Sequence, residues 1–301
     1  MLRYAPLVLL ALALVPAARA QLAPPTPFPL TEAELIHYRA HDGVIRPAVL
    51  LLPAGYRGQR IPLVISPHGR GVGERENELF WGDLPGAGDF AVINPAGEGR
   101  RLHWFSWGAP GEISDLARMP QIVERYGVNV DRRRIYAFGG SMGGQETLLL
   151  VARHPHLLAG AAAFDPATDM ARRYRDFARL PHGAVLQALA RKEIGGPPSQ
   201  VPAAYASRSP DRYVRRIARS GVPLQLYWST RDRIIRDQLR ETQALAVDLR
   251  ADGDRRVWDF RGRWQHTAEM ESTRRLPRAL ARFGLLPWVD ARSIREVRPS
   301  L

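Results

Sequence analysis

Apolar residues are distributed along this chain in two patterns. Short runs rich in leucine, isoleucine, valine and aromatic residues fall at 49–52, 63–66, 90–94, 135–138, 158–164, 224–228 and 257–260. Bounded by glycine, proline or polar residues, such runs predict strands covered on both faces. Between them, apolar residues recur three and four apart. Leu116, Met119, Ile122, Val123 and Tyr126 predict a helix over 113–126, and similar patterns predict helices over 145–153, 238–249 and 269–282. Strands alternating with helices imply an α/β fold, a mostly parallel sheet with helices on both faces. No internal repeat is visible.

Three stretches depart from this pattern. Residues 21–43 form a proline-rich linker and lead-in, in which Thr31-Glu32-Ala33-Glu34 has the order of a short helix cap. Residues 166–221 exceed what one crossover needs. They carry many arginines, the aromatic residues Tyr174, Phe177, Tyr205 and Tyr213, and the break Gly195-Gly196-Pro197-Pro198. This surplus predicts a small helical insertion, either beside the site at the carboxyl ends of the strands or as a remote surface elaboration. The main domain is expected over 44–288, with 289–301 as a C-terminal tail.

The first residues add a location. One arginine, the apolar run 5–15 and Ala18-Arg19-Ala20 form a signal peptide over 1–20, with cleavage after Ala20. The run is well short of the roughly 20 residues that a membrane span needs. The expectation is export, periplasmic or extracellular, with no stable membrane anchor after cleavage.

Composition narrows the chemistry. The 301 residues are 45% hydrophobic and 24% charged, enough for a full-sized core. With no cysteine, disulfides, thiolate metal sites and a cysteine nucleophile are excluded. The net charge of +13 would suit nucleic acid, but the basic residues are arginines scattered end to end with Lys192 the single lysine. No nucleic-acid partner is expected from such a distribution.

The motif around which the chain is organised is Gly139-Gly140-Ser141-Met142-Gly143-Gly144, between the predicted strand at 135–138 and a helical pattern. Gly-x-Ser-x-Gly in that context is a nucleophile elbow, a turn so tight that neighbours of the serine must lack a Cβ. A serine hydroxyl needs a base, and the base needs an orienting carboxylate. Among the eight histidines, His266 stands just after the last predicted strand and is the candidate base. Asp232, just past the strand at 224–228, is the candidate acid, with Asp165 before Pro166 as its competitor. Two backbone donors are needed for an oxyanion. Met142 N–H and Arg70 N–H, the latter in Pro67-His68-Gly69-Arg70-Gly71, are the candidates, and His68 is expected to pack its loop. Trp104 and Trp107, on an aromatic loop after a strand, are candidates for a substrate pocket.

These residues carry a resemblance. The strand followed by His68-Gly69, the doubled glycines around Ser141, and the order Ser141, Asp232, His266 resemble the α/β-hydrolase superfamily. Within it, residues 44–286 are similar to the prolyl-oligopeptidase-type catalytic domain and to related secreted esterases. The resemblance implies an exported serine hydrolase acting through an acyl-enzyme, with no metal or cofactor. A small-molecule ester or short peptide is the expected substrate. Met142 stands where those peptidases typically have tyrosine, and 21–43 is too short for their N-terminal propeller. A peptidase of short peptides, an acyltransferase and a non-catalytic binding protein on the same fold stay open as alternatives.

Overall fold

The computed structural model describes residues 30–287. The leader, most of the proline-rich stretch and the tail at 289–301 lie outside them. Eight strands form one sheet: β1 (Thr31–Arg39), β2 (Ile45–Pro53), β3 (Ile61–Ile65), β4 (Ala91–Pro95), β5 (Val130–Gly140), β6 (Gly160–Phe164), β7 (Leu224–Ser229) and β8 (Val257–Gly262). Their order is β1-β2-β4-β3-β5-β6-β7-β8. The β1–β2 and β2–β4 pairs are antiparallel and all others parallel.

The sequence explains this arrangement strand by strand. β3 (Ile61-Pro62-Leu63-Val64-Ile65) is buried at every position, as a central parallel strand must be. Its alternate residues feed two cores. Leu63 and Ile65 join Ile93 and Ala137 on one face, while Val64 joins Val92, Phe138 and Phe164 on the other. The first face is covered by α3 (Pro110–Arg125), α4 (Met142–Arg153) and α9 (Ala244–Ala251), the second by α10 (Leu276–Arg282) and by Trp81, which lies between the short helices α1 (Glu74–Glu78) and α2 (Leu84–Gly88).

Three expectations need correction. Thr31-Glu32-Ala33-Glu34 does not cap a helix but begins β1, so the domain starts near residue 31 rather than 44. The capping order is local, whereas β1 pairs with β2 along its whole length, from Thr31 opposite Pro53 to Arg39 opposite Ile45. Only Ile36 and Tyr38 of this edge strand turn their side chains fully into the core. The last helix begins at Leu276, not 269, because Pro277 is tolerated only in a first turn. The helix predicted over 238–249 opens with a wide π-helical turn, Leu239–Gln243, before α9.

Between β6 and β7 the insertion forms α5 (Met170–Phe177), α6 (Gly183–Ile194), α7 (Pro202–Ala206) and α8 (Val214–Arg219). Met170, Phe177, Ala190, Ile194 and Tyr205 pack together with Trp107 and with Met142, the residue after the elbow serine. The insertion is therefore built onto the site's own elements rather than attached to a remote surface.

Candidate active site

The elbow lies where β5 gives way to α4. Ser141 has φ 58° and ψ −118°, a conformation that costs an L-residue energy and persists only where its surroundings impose it. Two glycines impose it. A Cβ on Gly139 would sit 2.3 Å from the Gly143 carbonyl, and a Cβ on Gly143 would sit 2.1 Å from the Pro67 carbonyl oxygen. The second contact also seats the loop after β3 directly against the elbow. Behind that loop, Asn77 Nδ2 donates to Ser66 O, Ser66 Oγ and Asn94 Oδ1, and Trp81 Nε1 donates to Ser66 Oγ. This buried polar knot had no sequence signal beyond isolated asparagines.

At the neighbouring strand ends, Asp232 follows β7 and His266 follows β8. Their side chains meet, Asp232 Oδ2 to His266 Nδ1, at 2.7 Å. Asp232 Oδ2 also accepts from Gln238 Nε2 at 3.0 Å, and Oδ1 accepts from the N–H groups of Ile234 (2.8 Å) and Ile235 (2.9 Å). Burial works to raise the pKa of this carboxyl. The bond and charge of His266, with Gln238 and Ile235, outweigh it and hold the pKa below the ordinary value.

Asp165 does not hydrogen-bond to the imidazole. Its Oδ1 accepts from Ser229 N–H at 3.0 Å, and its Oδ2 from Trp264 Nε1 and Thr267 N–H, both at 2.9 Å. It therefore ties the end of β7 to the two sides of the His266 loop. Burial, and next the charge of Asp232, push its pKa up to about 6 against the pull of His266, Trp264 and Thr267. Asp165, Asp232 and His266 place ligand-type atoms within 4.8 Å of one another, a spacing compatible with a metal. The carboxylate oxygens, however, are already engaged by N–H donors or by the imidazole.

Ser141 and His266 line the same cavity, about 210 Å³ in volume, together with Arg70, Ile234, Thr267 and Met270. Met142 is the first residue of α4, so its N–H has no carbonyl one turn back to bond. In the facing loop, Gly71 N–H donates to Trp104 O and Val72 N–H to Gly69 O, while Arg70 N–H makes no such bond among the described residues. His68 is buried in that loop, with Nδ1 2.7 Å from Gly69 O and Nε2 3.0 Å from Gly97 O. Burial lowers its pKa, the opposite of what its carbonyl neighbours favour.

The aromatic loop is placed differently from expectation. Neither Trp104 nor Trp107 lines the cavity that holds Ser141. Trp107 is 2% exposed and packs in the insertion's core, its ring 5.9 Å from that of Phe177. Trp104 supports the loop after β3 through its carbonyl, and its ring lies against that of His103 at 4.3 Å, tilted by 38°. The cause is a carboxylate that the sequence did not single out. Buried Glu193 of α6 accepts the N–H groups of Arg100 (2.5 Å), Arg101 (2.7 Å) and Leu102 (3.0 Å), pinning this loop to the insertion. Arg208 pairs with Glu193 at 3.5 Å and also donates to Trp107 O at 3.3 Å.

This sheet order and elbow define the α/β-hydrolase fold, and the class is that of the serine hydrolases. The chain belongs to the prolyl oligopeptidase family, whose pattern it matches over residues 95–255, just over half of its length. No curated protein matches the sequence. Among solved structures, an esterase of the fungus Rhizomucor miehei superposes with a TM-score of 0.67 at 15% identity, covering 89% of this chain and 86% of that one. An acylaminoacyl peptidase from Pyrococcus horikoshii gives 0.61 at 17% identity, covering 83% of this chain. A puromycin hydrolase gives 0.63 at 17% identity, covering 90% of this chain. The chain spans 40% of the length of that peptidase and 41% of the puromycin hydrolase. At these identities the likeness is one of fold.

Proposed function

We propose that the protein hydrolyses carboxylic esters through an acyl-enzyme. Ser141 Oγ attacks the acyl carbon as its proton passes to Nε2 of His266. Asp232 holds the proton on Nδ1, fixing the tautomer and stabilising the imidazolium. The N–H groups of Met142 and Arg70 receive the oxyanion. Collapse of the tetrahedral intermediate expels the alcohol, which takes the proton from His266. Water, deprotonated by the same imidazole, then attacks the acyl-enzyme, and its collapse frees the acid and Ser141.

The observation that carries the ester reading is the cavity beside Ser141. At about 210 Å³, with Val72, Phe80, Ile234 and Met270 in its wall, it suits a small acyl group better than an extended peptide. The near full-length superposition on a fungal esterase is in keeping with this. Family membership and the peptidase likenesses support a second reading, cleavage of short peptides. The two separate on a panel of nitrophenyl esters of increasing acyl size and prolyl and alanyl anilides. Short-chain esters should be turned over and anilides left intact. Fast anilide cleavage would move the enzyme to the peptidases, and silence toward both with the protein folded would favour a binding role.

Export belongs to the same proposal and rests on the sequence of residues 1–20. Expressed in a bacterial host, the protein should be recovered outside the cytoplasm beginning at Gln21. Cytoplasmic protein that retains Met1 would refute it.

A further inference from the structure

Arg173 is an unusual buried residue. It lies on α5 at 4% exposure, and among the described residues its guanidinium makes one hydrogen bond, to the Ile234 carbonyl at 2.5 Å. Among the described residues no carboxylate stands within ion-pair distance of it. The acids that act on it from further away have closer partners. Asp232 binds His266, Glu241 lies 3.7 Å from Arg172, and Asp176 lies 3.5 Å from Arg179.

A second cation joins it. The Arg70 guanidinium, on the loop after β3, likewise has no acidic partner among the described residues, and Arg70 lines the Ser141 cavity. Both groups are set over one ring, Phe177, with Arg173 Cζ 4.7 Å and Arg70 Cζ 5.8 Å from its centroid. Burial, and next the charge of Arg70, pull the Arg173 pKa down to about 10, so Arg173 remains protonated at neutral pH. Phe177 offers the face of a ring, which offsets only part of the lost hydration. Two like charges side by side, Arg173 buried and Arg70 half-buried, with no acid paired to either among the described residues, are costly unless an anion completes the set.

A second groove, with Asp232 and Gln265 in its wall, has the same sign. It has a volume of about 760 Å³ and is formed in part by residues 230–233 and 236. Arg179, Arg231, Arg233 and Arg236 line it and are exposed to solvent. Such a field would raise the local concentration of anionic substrates around the segment that carries Asp232.

We infer that Arg70, in the wall of the Ser141 cavity, and Arg173, packed beside it over Phe177, form a carboxylate-binding subsite, and that the preferred substrates are esters bearing a free carboxylate. The inference rests on the ester-hydrolase reading above. The guanidinium forks would hold the carboxylate while the ester carbonyl meets Ser141.

Paired substrates test this and locate the carboxylate. Mono-4-nitrophenyl glutarate against 4-nitrophenyl pentanoate places it on the acyl side. 4-Acetoxybenzoate against 4-acetoxybenzamide places it on the alcohol side. In one pair at least, kcat/KM for the charged member should exceed that of the neutral one by about tenfold at low salt. The ratio should fall toward one in Arg173→Gln and in Arg70→Gln. Because it is taken within one preparation, the ratio is insensitive to loss of folded enzyme. A ratio of one or less in both pairs, or one that survives both substitutions, overturns the subsite. Ser141-dependent turnover of neutral esters without a preference sinks the subsite alone and leaves the hydrolase reading standing. If no ester is turned over, that reading fails, and calorimetric titration of monomethyl glutarate decides the subsite. Ser141→Ala should bind it, and Ser141→Ala/Arg173→Gln should bind it at least tenfold more weakly. Equal binding, or none to either, overturns the inference.

Discussion

Ser141→Ala is expected to lower kcat on the order of 10⁶-fold and to leave the far-ultraviolet circular dichroism unchanged. The expected loss is so large because the hydroxyl is the nucleophile of this scheme, and His266, its base, cannot substitute for it. The double variant Ser141→Ala/His266→Ala should be little worse than either single one, since base and nucleophile act as a unit. The backbone adds an independent readout. At φ 58° the residue is strained by its Cβ, and alanine inherits that strain. Ser141→Gly should be equally inactive yet melt at a higher temperature than Ser141→Ala, by relief of about 1 kcal/mol or more. The opposite ranking in melting would remove the strain argument. Turnover above a few per cent of wild type in either variant would remove Ser141 as nucleophile.

What could be read in the sequence divides along physical lines. The elbow is local: strand, glycines, serine and helix lie within some twenty residues, so the pattern carried the conformation. The pairing of Asp232 with His266 was legible for a related reason, since each closely follows a strand and strand ends of a parallel sheet converge. The structure brings these two together. The supporting contacts were not legible because sheet order makes them. Asp165 reaches Trp264 across 99 positions, and Glu193 reaches Leu102 across 91. No window of sequence contains both partners. Trp107 failed differently. An aromatic loop has the same composition whether its rings line a pocket or pack a core, and buried Glu193 and Arg208 hold this one against the insertion. β1 was missed because its capping order spans four residues while its evidence as a strand is a ladder supplied by β2.

Asp232→Asn should reduce kcat about 10⁴-fold, whereas Asp165→Asn should cost far less in kcat. The Asp232 carboxylate accepts four hydrogen bonds, two on each oxygen, and its oxygens face only donors. An amide cannot reproduce this. If its nitrogen faces His266 and Gln238, the imidazole must turn Nδ1 into an acceptor and carry its proton on Nε2, where it can no longer take one from Ser141. If the nitrogen faces Ile234 and Ile235 instead, two N–H groups oppose an NH₂. In the first orientation chemistry fails through the tautomer, and in the second the segment after β7 is strained. Asp165 differs because its three donors are Ser229, Trp264 and Thr267, none of which changes protonation in the reaction. Its replacement would loosen the loop that carries His266 and lower stability without altering the imidazole's tautomer. Comparing kcat with melting temperature separates the two: Asp232→Asn should lose mainly kcat, and Asp165→Asn mainly stability. The reverse pattern would assign the orienting acid to Asp165, and the 2.7 Å contact between Asp232 and His266 would then be structural.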